Sequence, residues 1–140
     1  MSHTYMLDTN ICSFIMRERP PSVLDRLQAA AANQRRMVIS AITYWEFLLG
    51  VIGRKASPRH ARLVEAFVVR LSEVSSWDRR AAEASALIRK RLAAEGTPIG
   101  RNDTMIAGHA VASNCVLVTN NLREFLRVPG LQVEDWTQER

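Results

Sequence analysis

Lysine is almost absent from this basic chain. The formal net charge is +5, yet Lys55 and Lys90 are the only lysines, so arginine carries nearly all of the positive charge. The planar guanidinium group of arginine matches the geometry of phosphate, which favours nucleic acid as a partner. A basic surface without any partner would give the same composition, so the charge alone does not distinguish a nucleic-acid-binding protein from one without such a partner.

Cysteine and long apolar runs are also scarce. Cys12 and Cys115 both stand in apolar stretches, which favours two reduced core thiols over a disulfide, as in a cytoplasmic protein. The N-terminus lacks the pattern of a signal peptide, and no segment approaches the ~20 apolar residues of a membrane-spanning helix. With 140 residues, 47% of them hydrophobic, the chain can bury a substantial core. We therefore expect one cytoplasmic domain over residues 1–140, without membrane association.

Short apolar segments alternate with longer helical segments along the whole chain. Strands are predicted over residues 5–8, 37–39, 71–74, 115–119 and 132–134. The helices between them are expected to begin at capping residues, among them Ser22, Ser40 and Asp78. This alternation is typical of α/β proteins, so we predict a three-layer fold with a mainly parallel sheet and helices on both faces.

Three acidic residues stand in segments that otherwise look buried. Asp8 ends the first predicted strand, Glu46 lies on the apolar stripe of a helix, and Asp103 begins another helix. Each has an ordinary explanation when taken alone. Asp8 and Asp103 suit helix N-termini, and a salt bridge with Arg54 or a more distant arginine would compensate Glu46. Spacing alone favours that salt bridge over a metal ion.

The positions of these three acids, taken together, favour a metal ion more than each position does alone. Asp8 ends one predicted strand and Thr119 ends another, and parallel strands bring such ends to the same edge of a sheet. Glu46 and Asp103 stand early in helices that are expected to start at that edge. Converging carboxylates repel one another unless a cation holds them. Oxygen ligands without a Cys/His cluster suit Mg²⁺ or Mn²⁺ rather than zinc.

Several short motifs, in this order and spacing, resemble those of a known family. They are Met-Leu-Asp-Thr-Asn at residues 6–10, Ile-Ser-Ala-Ile-Thr-Tyr-Trp-Glu at 39–46, Pro-Ile-Gly-Arg-Asn-Asp at 98–103, Ile-Ala-Gly-His-Ala at 106–110, and Val-Thr-Asn-Asn at 118–121 with Arg-Glu-Phe at 123–125. The chain is similar over nearly its whole length to PIN-domain ribonucleases, and most of all to VapC-type toxins of bacterial type II toxin–antitoxin pairs.

The resemblance implies a PIN-like fold and an endoribonuclease that depends on Mg²⁺ or Mn²⁺. The acids that match the metal site of the family are Asp8, Glu46 and Asp103. The implied substrate is tRNA, with initiator tRNA as a candidate, and the implied result is inhibition of translation. The implied partners are a second copy of the chain, in a homodimer, and a VapB-type antitoxin that neutralises the toxin.

The chain departs from the family at one position of the site. A fourth acid of the family is matched here by Asn121, so the number of metal ions stays open. Either Asn121 binds metal through its carbonyl oxygen or Glu124 supplies the missing charge. This departure also leaves a rival function, a PIN-like domain that binds RNA or protein without cleaving it.

Residues around the acids have expected supporting roles. Four polar residues are expected to orient the carboxylates or bound water: Thr9, Asn10, Ser40 and Thr119. Arg101 and Arg123 are expected to contact RNA phosphates. The helices around Ile42 and Leu63 carry more apolar surface than a small monomer hides, which predicts an interface. Within the first of them, Trp45 is expected to lie in the core.

Overall fold

The computed structural model describes residues 3–53 and 57–138, and within them five strands alternate with seven helices. The strands are β1 (Thr4–Leu7), β2 (Arg36–Ser40), β3 (Glu73–Ser75), β4 (Val116–Val118) and β5 (Gln132–Glu134). The helices are α1 (Thr9–Met16), α2 (Pro21–Ala32), α3 (Ala41–Ile52), α4 (Pro58–Val68), α5 (Arg79–Ala94), α6 (Arg101–Ala112) and α7 (Leu122–Phe125). All five predicted strands are present, with ends shifted by at most two residues.

The strands form one parallel sheet in the order β3-β2-β1-β4-β5. The first strand of the chain is therefore the central strand, in which Tyr5 pairs with Met37 on one side and with Val116 on the other. The chain builds the sheet outward from β1 in one direction and then returns to build it in the other. The carboxyl end of β1 lies at this switch point, where open α/β sheets bind their ligands.

Successive side chains of the strands pack into two separate hydrophobic cores, one on each face of the sheet. Leu7 joins the core that packs against α1–α4, whereas its neighbour Met6 joins the core that packs against α5–α7. Both side chains are fully buried, because successive residues of a strand point to opposite faces. Full burial of such a side chain stabilises the fold by roughly 1.5–3 kcal/mol. The predicted three-layer architecture is confirmed.

The helix caps follow the prediction except at α2. The side chain of Ser40 accepts a hydrogen bond from the Ile42 N–H, and that of Asp78 accepts one from the Ala81 N–H. The prediction for Ser22 is wrong, because α2 begins at Pro21. Proline already has the backbone angle that the first helical position requires.

The aromatic residues and cysteines give one further correction. Trp45 was expected in the core, but it is 49% exposed and lies on the outer side of α3. Cys12 and Cys115 are free and buried, as predicted. In the part of the chain that the structure describes, no helix is both long and apolar enough to cross a membrane.

Candidate active site

The end of β1 and the end of β4 bring Asp8 and Thr119 together. The Thr119 hydroxyl donates a hydrogen bond of 2.6 Å to Oδ2 of Asp8, and the Asp8 N–H donates to the Val118 carbonyl at 2.9 Å. Both side chains are buried, with Asp8 5% exposed. Asp8 occupies the N-cap position of α1 but makes no side-chain capping bond. Its carboxylate is therefore held by the neighbouring strand, in agreement with the predicted convergence of strand ends.

The environment of Asp8 opposes its negative charge overall. Burial raises its pKa most, and repulsion from Glu46 raises it further. The Thr119 hydroxyl and the backbone N–H groups of Thr9 and Asn10 act in the opposite direction without cancelling the effect of burial. A carboxylate in this position is stabilised by any additional positive charge.

Glu46 reaches the same edge from the second turn of α3. The Thr9 hydroxyl donates a hydrogen bond of 2.8 Å to Oε1 of Glu46 and lies 3.5 Å from the Thr43 hydroxyl. Over residues 3–53 and 57–138, Glu46 takes part in no ion pair. The predicted salt bridge with a distant arginine is therefore not formed there, and Arg54 lies outside the described residues. Thr9 instead has the orienting role that the sequence predicted.

Asp103 has the most perturbed environment of the acids. Its pKa is raised to about 7, first by burial, then by a hydrogen bond with Glu124, and then by repulsion from Asp8, Glu124 and Glu46. A carboxyl group with this pKa keeps its proton for half of the time near neutral pH. The electrostatic interactions link four acids at one edge of the sheet.

Glu124 is the acid that lies beside Asp103, whereas Asn121 bonds to Glu124. The Asn121 side-chain amide donates a hydrogen bond of 3.0 Å to Oε2 of Glu124, and its backbone N–H donates to the Thr119 hydroxyl at 3.0 Å. Glu124 is thus held between Asn121 and Asp103. Of the two alternatives that the sequence left open, this arrangement favours a charge from Glu124.

Two of the predicted supporting residues contact no acid with their side chains. The Asn10 side chain is exposed. The Ser40 hydroxyl lies 2.8 Å from Nδ1 of the buried His109 while it accepts the Ile42 N–H. His109 also forms a hydrogen bond with the backbone of Ser76, and burial lowers its pKa. Ser40 therefore joins α3 to α6 through a neutral histidine.

His109 is missing from the predicted site, although it connects the two helices that carry Glu46 and Asp103. One signal in the sequence would have found it. His109 is the only polar side chain in the run Ile-Ala-Gly-His-Ala, and a polar group on a buried helix face requires a hydrogen-bond partner.

The predicted RNA contacts, Arg101 and Arg123, are both exposed. Arg101 begins α6, two residues before Asp103, and Arg123 lies in α7 beside Glu124. Within the described parts of the chain, neither forms an ion pair. Both guanidinium groups are therefore available at the margin of the acidic cluster, and their contact with RNA stays a prediction.

The donor set has the chemistry that Mg²⁺ or Mn²⁺ requires. Its ligands would be carboxylate oxygens of Asp8, Glu46 and Asp103, which are hard donors. In the described residues, no three His, Cys, Asp or Glu side chains are arranged around a common ion position. Their mutual repulsion nevertheless raises the pKa of Asp103, and a divalent cation would relieve it.

Comparisons with known proteins give the family. The model of the PIN domain matches residues 5–131. Over 132 residues the chain is 46% identical to the tRNA(fMet)-specific endonuclease VapC of Salmonella typhimurium. This match covers 94% of this chain and 97% of the relative. It is 43% identical over 133 residues to a protein of the same name from Shigella flexneri, covering 95% and 98% of the two chains.

A solved structure agrees with the sequence relatives. VapBC2 from Rickettsia felis, bound to a DNA fragment from its promoter, contains a chain that superposes with a TM-score of 0.87 at 35% identity. The superposition covers 95% of this chain and 98% of that one. Since the sequence and the fold both match over almost their full lengths, the chain belongs to the PIN-domain family and, within it, to the VapC ribonucleases.

Proposed function

We propose that this chain is the endoribonuclease toxin of a type II toxin–antitoxin pair, and that it acts in the cytoplasm on tRNA. Initiator tRNA is the first candidate substrate, because the relatives from Salmonella typhimurium and Shigella flexneri are named tRNA(fMet)-specific endonucleases. The observation that carries the proposal is the cluster of Asp8, Glu46, Asp103 and Glu124 at the switch point of a PIN-type sheet. Cleavage of tRNA inhibits translation until the antitoxin neutralises the toxin.

The proposed activity depends on Mg²⁺ or Mn²⁺ held by Asp8, Asp103 and Glu46. When bound, such an ion lowers the pKa of a water molecule and stabilises charge on a phosphodiester. The protein contributes the position of each carboxylate: Thr119 holds Asp8, and Thr9 holds Glu46. With its Oε1 bonded to Thr9, Glu46 keeps a second oxygen, which either binds the ion or accepts a proton from the attacking water.

A proton shared by Asp103 and Glu124 competes with the metal ion for the carboxylate of Asp103. The pKa of Asp103 is raised to about 7 by burial and by its neighbouring acids. Below that pH the protonated carboxyl group donates to Glu124 and is a poor metal ligand. We therefore expect the ion to bind more tightly as the pH rises through 7, when Asp103 becomes an anion.

A VapB-type antitoxin and a second copy of the chain are the proposed protein partners. Exposed apolar side chains on α3 and α4 support this, namely Trp45, Leu48, Leu49, Ile52 and Leu63. Monomeric soluble proteins rarely leave such contiguous apolar surface in water. The solved relative from Rickettsia felis is a VapBC complex, which also supports an antitoxin.

Cleavage of a purified tRNA pool by antitoxin-free protein tests the enzyme activity. We expect a discrete fragment with Mg²⁺ or Mn²⁺, and none with EDTA or with the variant Asp8→Asn. Fragments that persist with Asp8→Asn would indicate a contaminating nuclease. Intact tRNA and other RNAs, despite folded protein that binds them, would support the rival function of a binding domain.

Co-purification tests the partner. The chain is expressed with the small reading frame encoded next to its gene, and the complex is measured for mass and for tRNA cleavage. A stable complex that has lost cleavage is expected. A chain that purifies alone and cleaves tRNA at the same rate in the presence of that product would contradict the proposed antitoxin.

A further inference from the structure

A groove of about 600 Å³ runs between α5 and the beginning of α6. Its volume lies in the range of sites that bind small organic groups. The side chains that line it include Trp77, Ala86, Arg89, Ile99, Arg101 and Met105. The acids of the proposed metal site are not among the lining residues, so the groove is a separate feature of the surface.

The floor of the groove is aromatic and fixed in place. Nε1 of Trp77 donates a hydrogen bond of 3.0 Å to the Met105 carbonyl, which fixes the orientation of the indole ring. Ser85 also lines the groove, but its hydroxyl is buried against Gly108 and so faces α6 rather than the groove.

Two guanidinium groups stand at the rim of the groove. Arg89 and Arg101 are both exposed, and neither belongs to an ion pair within residues 3–53 and 57–138. Two other arginines of α5 are paired, Arg79 with Glu83 of the same helix and Arg91 with Glu95, the residue that follows its last turn. The positive charge at the rim is therefore left for an anion or for a flat π-system.

The groove and the acidic cluster meet on the first turn of α6. Arg101 and Thr104 line the groove, and Asp103 stands between them in the sequence. A Cβ atom on Gly100 would lie 3.9 Å from Oδ2 of Asp103, so the carboxylate folds back toward the segment that forms one wall. The two features therefore share the first turn of α6.

We propose that this groove binds the base of an unpaired nucleotide of the RNA substrate, beside the phosphodiester held at the acids. The base stacks against the indole ring of Trp77, which lines the groove. Arg89 and Arg101 contact the phosphates on either side of that nucleotide. Apolar walls with cationic rims are the features by which proteins hold single-stranded nucleotides. This inference rests on the proposed ribonuclease function.

Matched substitutions on α5 separate the groove from general charge and bulk. Arg89→Ala removes a rim charge, and Lys90→Ala removes the same charge from the next residue, which does not line the groove. Ala86→Met fills the groove, and Ala94→Met adds the same bulk to an exposed alanine outside it. For tRNA cleavage we expect Arg89→Ala and Ala86→Met to raise KM about tenfold with kcat within about twofold. We expect both control variants to stay within about twofold of the unmodified chain.

Cross-linking locates the nucleotide directly. The full-length Asp8→Asn variant, which we expect to leave tRNA intact, is irradiated with tRNA transcripts that contain 4-thiouridine. Cross-links in peptides from residues 77–89 or 99–105 are expected, and Ala86→Met in this background should lower their yield at least fivefold (about a 1 kcal/mol effect). Cross-links confined to other peptides would overturn the proposal.

The outcomes distinguish this inference from the proposed function. If the unmodified chain cleaves tRNA but groove and control variants behave alike, the groove proposal is wrong and the ribonuclease function stands. If the chain cleaves no tRNA, the cross-linked positions alone show whether the groove binds a nucleotide. If Ala86→Met changes the oligomeric state, measured by light scattering, or prevents antitoxin binding, the groove belongs to a protein interface and the nucleotide proposal is overturned.

Discussion

The two helix pairs that bring Glu46 and Asp103 to the sheet are packed in opposite ways. Between α5 and α6 the backbones approach closely, because Gly108 lies against Ser85, and a Cβ there would be 2.7 Å from the Ser85 backbone nitrogen. Between α3 and α4 larger side chains meet, since the rings of Phe47 and Phe67 pack edge to face with centroids 6.3 Å apart, and Ile52 is 76% exposed. The close pair fixes an acid whose charge the fold opposes, whereas the open pair leaves the apolar surface that we propose for a partner.

The largest expected effect concerns the acids themselves. Asp103→Asn and Glu46→Gln should each lower tRNA cleavage at least about a thousandfold, roughly 4 kcal/mol in the activation barrier. Thermal unfolding provides the control. Asp103→Asn removes a repelled carboxylate and should leave the melting temperature at pH 8 equal or higher. A lower melting temperature would mean that Asp103 stabilises the fold and that lost activity reflects unfolding.

The next effect sharpens the contrast between the helix pairs. Gly108→Ala should lower the free energy of unfolding by about 3 kcal/mol, because the new methyl group meets backbone atoms that cannot move away. Gly50→Ala on α3 is the matched control. Among the described residues, its methyl group would meet the ring of His60, with Nε2 at 3.2 Å and Cδ2 at 3.9 Å. The gain in helix propensity offsets a small shift of that ring, so we expect a change within about 1 kcal/mol. Urea titration measures both, and equal losses would contradict the contrast.

The apolar face of α3 should matter for the partner and not for catalysis. Ile52→Glu should weaken the antitoxin complex at least thirtyfold, about 2 kcal/mol, because a charge replaces a buried contact. Cleavage of tRNA by the antitoxin-free variant should stay within about twofold of the unmodified chain. Leu87→Glu on α5 is a matched control, since Leu87 is 70% exposed on the other helix pair. If only Leu87→Glu weakened the complex, the docking face would have to be reassigned.

The smallest effect is a dependence of stability on pH. The folded pKa of Asp103, about 7, exceeds its usual value of 3.8, so the folded chain binds this proton more tightly than the unfolded chain. Stability is therefore greatest below pH 4 for this group and is lost as the pH rises to 7. Added Mg²⁺ should then raise the melting temperature more at pH 8 than at pH 5. Asp103→Asn should remove that difference, measured by differential scanning fluorimetry.

His109 gives a contribution of the opposite sign. Burial lowers its pKa below the usual 6.5, so the unfolded chain binds the proton more tightly and stability is lost as the pH falls below 6.5. His109→Gln keeps a hydrogen-bonding group opposite Ser40 and removes the titration. The variant should lose less stability than the unmodified chain between pH 6.5 and 5. An unchanged pH profile would show that His109 is not the group responsible.

Much of the fold was predictable from the sequence because local patterns and tertiary structure agree. The strand that precedes Asp8 and the apolar helix that carries Glu46 are both found where their periodicity indicates. Asp8, Glu46 and Asp103 were identified because charge is costly in such segments. The exposure of Trp45 was not predictable, since an apolar helix surface looks the same in sequence whether a core or a partner chain covers it.

The hydrogen-bond partners of the polar side chains were also not predictable from the sequence. Ser40 was expected to orient an acid but contacts His109 instead, because the choice depends on how α6 passes β2. The role of Glu124 beside Asn121 was left as one of two alternatives, and only the geometry of α7 favours it. Hydrogen bonds between residues far apart in the chain follow from topology, which local patterns do not specify.

The central position of β1 has a consequence for the synthesis of the protein. The ribosome makes β1 first, but the hydrogen bond that holds Asp8 comes from Thr119, 111 residues later. The ring of Tyr5 in β1 also packs against Trp136, with centroids 5.3 Å apart. A nascent chain therefore cannot assemble the acidic cluster until its last fifth has left the ribosome.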